Sequence, residues 1–196
     1  MKLLFVDCCV SQRGKDSRTR ALADAFLEAF RASHPTAEVE TVEPAALGLR
    51  SFDPEMLNDR DALAGIGAWD APVFEEARRF RAADGIVVAA PFWDLSFPSV
   101  LRTYIEYICA NGLTYHYEAD GCHGDCKASR LVYLTSGGDF EREDSLGVLY
   151  WRQLCAMFGI GKFDYVFAGG LDTDPALAPE RLEAACALAR RLAEKF

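Results

Sequence analysis

Basic and hydroxyl side chains are concentrated shortly after the first predicted strand. Four basic residues between positions 13 and 20 oppose a single acidic one, Asp16, and they are Arg13, Lys15, Arg18 and Arg20. Ser17 and Thr19 add two hydroxyl groups at a predicted helix N-terminus, where free backbone N–H groups and the helix dipole favour a bound phosphate. The hydroxyls are also typical of an ordinary N-cap and first turn without any ligand, so the basic cluster is what favours an anion site.

A second segment, residues 91–97, follows the strand predicted over residues 85–90. Its three bulky apolar side chains need a surface to cover, and they are Phe92, Trp93 and Leu95. Aromatic residues dominate protein cores, subunit interfaces and ligand sites alike. The segment is therefore interpreted either as a wall against a flat ring ligand or as packing within the protein.

A third segment begins after the strand predicted over residues 130–135 and reads Ser136-Gly-Gly-Asp139. Two successive glycines lack the Cβ atoms that would keep a ligand away from the backbone, although a tight turn would explain them too. Together the three segments describe a site for a mononucleotide with a large flat ring, such as FMN. The chain has neither the G-x-G-x-x-G nor the G-x-x-x-x-G-K-[ST] motif, which argues against a dinucleotide-binding Rossmann domain and a P-loop nucleotidase.

Hydrophobic periodicity predicts five strands alternating with five helices. The strands are expected over residues 2–7, 38–42, 85–90, 130–135 and 162–168, and the helices over 17–32, 72–83, 98–110, 145–158 and 179–194. Ser96 is expected to cap the helix that has Pro98 in its first turn. Residues 44–69 have mixed character because Pro54, Gly65 and Gly67 interrupt any long helix, and residues 113–117 alternate as a small hairpin arm would.

This alternation predicts one α/β domain over residues 1–196, a three-layer sandwich with right-handed crossovers. Ligands of such sheets bind beyond the carboxyl ends of the strands. Three loops are therefore expected to meet at one site, residues 8–18, 91–97 and 136–144.

Residues 90–107 read A-P-F-W-D-L-S-F-P-S-V-L-R-T-Y-I-E-Y. This run is similar to the A-P-x-[WY]-N-x-x-x-P-x-x-L-K-x-Y-[IF]-D motif of the flavodoxin-like FMN-dependent NAD(P)H oxidoreductases, the azoreductase and quinone reductase family. The run from Gly112 to Tyr117, with Gly121 after it, also resembles the family's G-x-T-F-x-Y. The resemblance covers nearly the whole chain and implies a flavodoxin-like fold with a five-stranded parallel sheet in the order 2-1-3-4-5.

The resemblance also implies noncovalently bound FMN, with NADH or NADPH as co-substrate and a quinone or azo compound as acceptor in a ping-pong reaction. The cofactor-binding residues it implies are Cys9, Ser17, Arg18 and Thr19 near the phosphate, Pro91, Phe92, Trp93, Asp94 and Leu95 along the isoalloxazine, and Ser136, Gly137, Gly138 and Asp139 at its far side. It implies a homodimer with two sites at the subunit interface. Tyr115, His116 and Tyr117 would then line the partner's substrate pocket or simply pack at that interface.

Two features depart from the family pattern. Asp94 replaces the usual Asn; its carboxylate accepts from flavin N3–H but cannot donate, and we expect its charge to lower the flavin potential. Cys8-Cys9 stand where serines are common, in a longer first loop. Hydride transfer between nicotinamide, flavin and acceptor needs no protein nucleophile, so we assign no catalytic acid or base.

The formal net charge of −9 argues against nucleic acid as a partner, since that would require a basic face. No signal peptide and no apolar run of ~20 residues is visible, so we expect a cytoplasmic protein without membrane insertion. The seven cysteines are expected to be reduced thiols. Residues 122–126, Cys-His-Gly-Asp-Cys, have only three soft ligands, which favours a polar surface loop over a metal site.

Two other functions keep the same fold. An electron-carrier flavodoxin would suit the acidic charge but not the long aromatic segment, because a carrier needs an exposed ring edge rather than a deep cavity. A relative that has lost its flavin would act only as a binding module.

Overall fold

The computed structural model describes residues 1–11, 13–140 and 145–196, without the side chain of Lys15. The last part of the predicted third loop, residues 141–144, and Gln12 of the first loop lie outside the described residues. No helix in the described ranges is both long enough and apolar enough to cross a membrane.

Five parallel strands form the central sheet, in the order β2-β1-β3-β6-β7. Their bounds are Lys2–Asp7 (β1), Glu38–Val42 (β2), Gly85–Ala89 (β3), Arg130–Ser136 (β6) and Lys162–Ala168 (β7). Counted among themselves, these strands have the order 2-1-3-4-5, which confirms the predicted topology. Every residue of β3 and β6 is buried, as expected for apolar central strands that are covered on both faces.

Helices cover both faces of the sheet. They are α1 (Arg18–Ser33), α2 (Pro54–Gly65), α3 (Glu75–Ala82), α4 (Ser99–Ile108), α5 (Leu146–Phe158) and α6 (Ala178–Ala193), with short 3-10 turns at Gly14–Asp16, Pro44–Ala46 and Pro72–Phe74. One core packs α1 and α6 against the sheet, and the core on the opposite face packs α3, α4 and α5. The three-layer α/β sandwich is therefore confirmed.

Two helix predictions were wrong in detail. Ser96 does not cap α4, because its backbone N–H donates to Trp93 O at 2.8 Å within a tight turn and Pro98 occupies the N-cap position instead. The helix also ends at Ile108, earlier than expected, since the Thr114 hydroxyl donates to Ile108 O at 2.7 Å and accepts from the backbone N–H of Ala110 at 3.0 Å.

The stretch of mixed character contains the additional helix α2. Pro54 begins this helix rather than interrupting it, because proline is tolerated in a first turn whose N–H groups have no intrahelical partner. Asp53 caps the helix by accepting from the backbone N–H of Met56 at 2.9 Å. Gly65 is the last helical residue, and Gly67 follows with a φ of +69°.

The predicted hairpin arm forms a two-stranded antiparallel ribbon, β4 (Tyr115–Glu118) paired with β5 (Gly121–Gly124). Helix α5 starts after the carboxyl end of β6 and ends before the amino end of β7, and the ribbon packs against that second end. The backbone N–H of Cys126 donates to Phe158 O at 3.3 Å. The ribbon therefore lies at the opposite edge of the sheet from the three predicted site loops.

Candidate functional site

The three loops meet at the carboxyl edge of the sheet, where they line a cavity of about 190 Å³ that we call the polar cavity. Its predicted lining consists of residues 17–19, 91–93 and 136–138, and Ser11, Arg13 and Asp172 join them. Hydrogen bonds connect the loops to one another. Thr19 Oγ1 lies 2.6 Å from Ser136 Oγ, and the backbone N–H of Phe92 donates to Ser136 O at 3.0 Å.

The N-terminus of α1 forms one side of the polar cavity. Ser17 is its N-cap residue, with the hydroxyl accepting from the backbone N–H of Arg20 at 3.4 Å. Ser17 also lines the cavity, so the two interpretations of this residue are compatible. Because the first backbone N–H groups of a helix lack intrahelical partners, this end of α1 favours an anion.

The basic cluster divides between two environments. Arg13 and Arg18 line the polar cavity, and Arg18 Nη1 lies 2.7 Å from Asp172 Oδ1. Arg20 instead forms an ion pair with the buried carboxylate of Asp7, away from the cavity lining. Only part of the predicted positive charge therefore faces the cavity.

Cys9 lies beside that ion pair and is not among the residues that line the polar cavity. Its backbone N–H donates to Asp7 Oδ1 at 3.0 Å. Burial, followed by the negative charge of Asp7, raises the pKa of the Cys9 thiol to about 12. The thiol is therefore protonated at neutral pH and is not an activated nucleophile. All seven cysteines are free thiols, as predicted.

The aromatic loop makes a sharp turn beside the cavity. Trp93 and Ser96 exchange two backbone hydrogen bonds, and the intervening Asp94 and Leu95 have φ values of +50° and +66°. The left-handed conformation is uncommon for residues other than glycine and is disfavoured more for Leu than for Asp. The turn leaves the side chains of Trp93 and Leu95 43% and 61% exposed, so they do not plug the core of this chain.

A second cavity, of about 240 Å³, shares Phe92 with the polar cavity, and we call it the apolar cavity. Leu95, Phe140, Leu146 and Phe167 supply most of its apolar wall, and Asp139 and Ser145 also line it. Phe92 packs edge-to-face against Phe167, with ring centroids 5.4 Å apart. Asp94 is exposed and lines neither cavity.

The double glycine has a packing role that the sequence did not reveal. A Cβ atom at Gly137 would lie 3.0 Å from Phe167 Cζ, and one at Gly138 would overlap the carboxylate of Asp172. Both glycines therefore allow the segment after β7 to pack closely against the third loop. Asp172 was missed in the sequence, although its position four residues after the end of β7 could have indicated it.

Tyr115, His116 and Tyr117 lie on β4, at the amino edge of the sheet, and line neither cavity within the same chain. Tyr115 instead lines a separate cavity of about 400 Å³ with Arg60 and Cys109. His116 Nδ1 lies 2.7 Å from Asp125 Oδ2, and hydrogen bonds to Asp125 and Glu118 raise the pKa of His116. Their assignment to a partner's substrate pocket stays a prediction.

Known proteins resemble this chain over most of its length. A family model described as flavodoxin-like fold matches residues 1–192. An FMN-dependent NADH:quinone oxidoreductase 2 of Clostridium acetobutylicum is 33% identical over 176 residues, which cover 87% of each protein. A protein of the same name from Clostridium perfringens is 29% identical over 200 residues, which cover 100% of this chain and 99% of that protein. The crystal structure of an azoreductase from Bacillus anthracis matches all of both chains with a TM-score of 0.88 at 26% identity.

Proposed function

The chain belongs to the flavodoxin-like family that includes FMN-dependent NADH:quinone oxidoreductases, and on that premise we propose that it is an FMN-dependent oxidoreductase. Its donor is NADH or NADPH, and its acceptors are quinones, azo compounds or similar small molecules. It moves two electrons as a hydride in a ping-pong sequence, so that the donor leaves before the acceptor binds.

The observation that carries this proposal is the pair of adjoining cavities at the carboxyl edge of the sheet, one polar and basic, the other apolar and aromatic. Arg13, Arg18, the hydroxyls of Ser17 and Thr19 and the first turn of α1 form a donor set suited to a phosphate monoester. Phe92 joins this set to the apolar cavity, where a flat ring would be covered. The residues present therefore fit FMN.

FMN, when bound, supplies the two-electron redox chemistry that side chains lack. The chain's own contribution is binding and orientation. Trp93 and Leu95 would cover one side of the ring and exclude water from it, while backbone dipoles of residues 136–139 face the other side. The carboxylate of Asp94, placed close to the ring edge by its turn, would lower the flavin potential.

We further propose a homodimer with two sites at the interface. The support is an apolar surface next to the apolar cavity, where Phe97, Leu146, Leu149 and Tyr150 border an open cavity of about 620 Å³. Leu146 is 56% exposed, which is unusual for a leucine without a partner to cover it. Light scattering of the purified protein should give twice the mass of one chain, and a monomeric mass would contradict this part.

Absorbance and rapid mixing test the catalytic proposal. The purified protein, or protein supplied with FMN, should absorb near 450 nm, and anaerobic mixing with NADH or NADPH should bleach that band within seconds. A subsequent pulse of quinone should restore it. Bound flavin that neither nucleotide bleaches would indicate an electron carrier, and a protein that stays colourless after FMN addition would indicate a flavin-free binding module.

A further inference from the structure

A carboxylate stands in the wall of the polar cavity, where the proposed ligand group is an anion. The backbone N–H of Asp172 donates to Gly138 O at 3.0 Å, and that of Leu171 donates to Gly137 O at 3.3 Å. These bonds hold the segment after β7 against the third loop. Asp172 is therefore a fixed part of the cavity wall, placed there by the fold.

The Asp172 carboxylate also neutralises one of the arginines that face the cavity. Arg18 Nη1 lies 2.7 Å from Asp172 Oδ1, and the two side chains are 33% and 68% exposed. Ion pairs with this much solvent exposure are weak and can exchange partners. Arg18 thus meets an incoming phosphate already paired to an anion of its own chain.

We propose that Asp172 sets the preference of this chain for FMN over riboflavin, by competing with the FMN phosphate for Arg18 and by repelling it. The inference rests on the proposed function, because it concerns the same site. It identifies Asp172 as a specificity-determining residue that holds FMN binding below the strength that the remaining donors would give.

The charges explain why the effect depends on the phosphate. A phosphate monoester carries about −1.5 to −2 charges at pH 7, and a carboxylate beside it is a like charge that disfavours its binding. Riboflavin has the same ring but no phosphate, so its binding does not require Arg18 to leave Asp172. Asp172 does not line the apolar cavity, where the ring is proposed to bind.

Binding of the two flavins to flavin-free protein tests this inference, with quenching of flavin fluorescence as the readout. Asp172→Asn keeps the size of the side chain and removes its charge. We expect its Kd for FMN to fall about five- to thirtyfold at low ionic strength, with a smaller change in high salt. Its Kd for riboflavin should stay within about twofold of the parent value.

Glu183→Gln is the matched control, because it makes the same change in net charge on α6 at a glutamate paired with Arg190 at 2.7 Å, away from both cavities. It should leave both Kd values unchanged. Arg18→Gln supplies a second test of the competition. It should weaken FMN binding more in the Asp172→Asn background than in the parent, because Asp172 no longer occupies the guanidinium there.

Each outcome has a distinct meaning. If the parent binds FMN and Asp172→Asn binds it equally or more weakly, the inference is wrong and Asp172 serves to orient Arg18. If Asp172→Asn tightens both flavins equally, cavity shape rather than charge is responsible, and the inference is wrong as well. If the parent binds neither flavin, the proposed function itself fails, and this inference fails with it.

Discussion

The two edges of the sheet differ in how their polar groups are brought together. At the carboxyl edge, Thr19 meets Ser136 across 117 residues of sequence and Arg18 meets Asp172 across 154. At the amino edge, the histidines of the β4–β5 ribbon bond to near neighbours, with separations of two residues for Glu118, three for Asp120 and nine for Asp125. Groups drawn from distant loops form a cavity, whereas groups from one ribbon cover only its surface.

The largest expected effect tests the ribbon as a packing element. A Cβ atom at Gly124 would overlap the backbone of Phe158 and Gly159 at the end of α5, so Gly124→Ala must displace the backbone. We expect a loss of about 2–3 kcal/mol in the free energy of unfolding, measured by urea denaturation.

Gly161→Ala is the control for that substitution, because a Cβ atom there would have no neighbour within 4 Å. Its free energy of unfolding should be unchanged within about 0.5 kcal/mol. Folded Gly124→Ala protein should retain its affinity for FMN. A large loss of FMN affinity alone, without loss of stability, would contradict the packing role and bring the ribbon into the site.

The second effect concerns Phe92, which lines both cavities. Phe92→Ala removes the ring that joins the polar and apolar walls, and we expect the Kd for FMN to rise about tenfold or more. Titration of flavin-free protein with FMN measures it. An unchanged Kd would mean that the aromatic loop is not the wall of a flavin site.

Tyr117→Ala is the matched change at the other edge, where the side chain is 66% exposed. FMN affinity should be unaffected. If the partner's substrate pocket includes this tyrosine, however, the KM for the quinone should rise while the Kd for FMN stays constant. That result would connect the two edges through the dimer, and unchanged values of both would limit the ribbon to packing.

A smaller effect compares one hydrogen bond from each edge. The contact between Thr19 and Ser136 is buried, and a double-mutant cycle with Thr19→Val and Ser136→Ala should give a coupling free energy of about 1 kcal/mol. The exposed pair of Asp120 and His123, at 2.8 Å, should give about 0–0.5 kcal/mol with Asp120→Asn and His123→Gln. Equal coupling at the two edges would remove the energetic basis of the comparison.

The sheet could be predicted from the sequence because its strands carry their signal locally. Apolar runs such as residues 85–89 and 130–136 are bounded by polar or turn residues, and a buried parallel strand needs little else. The loops that follow such strands must meet at one edge, so the positions of Ser17, Phe92 and Ser136 could be predicted as well. Their meeting does not depend on the details of any side chain.

What could not be predicted depends on contacts between distant segments. Arg20 belongs to the basic cluster in sequence, but the buried charge of Asp7 draws it away from the cavity. Asp172 has no local pattern that marks it, and its role follows only from the packing of its segment against Gly138. Ser96 has the residue type of an N-cap, yet the turn that begins at Trp93 uses its backbone first.

The smallest expected effect is a pH dependence of stability at the amino edge. Hydrogen bonds to Asp125 and Glu118 raise the pKa of His116 above its ordinary value of 6.5. A group whose pKa is higher in the folded than in the unfolded chain binds protons more tightly when folded. Its stabilising contribution is therefore complete below about pH 6.5 and is lost as the pH rises through the raised pKa.

His116→Gln should remove that part of the pH dependence, so urea midpoints of parent and variant should differ more at pH 6 than at pH 8.5. Asp125→Asn, which removes the largest cause of the raised pKa, should reduce the pH dependence of the parent in the same direction. Because the imidazole is solvent-exposed, FMN affinity should show no matching change between the two pH values. A parent and a His116→Gln variant with parallel midpoints across this range would show that the ribbon's ion pairs contribute no stability, which would make the contrast with the carboxyl edge sharper still.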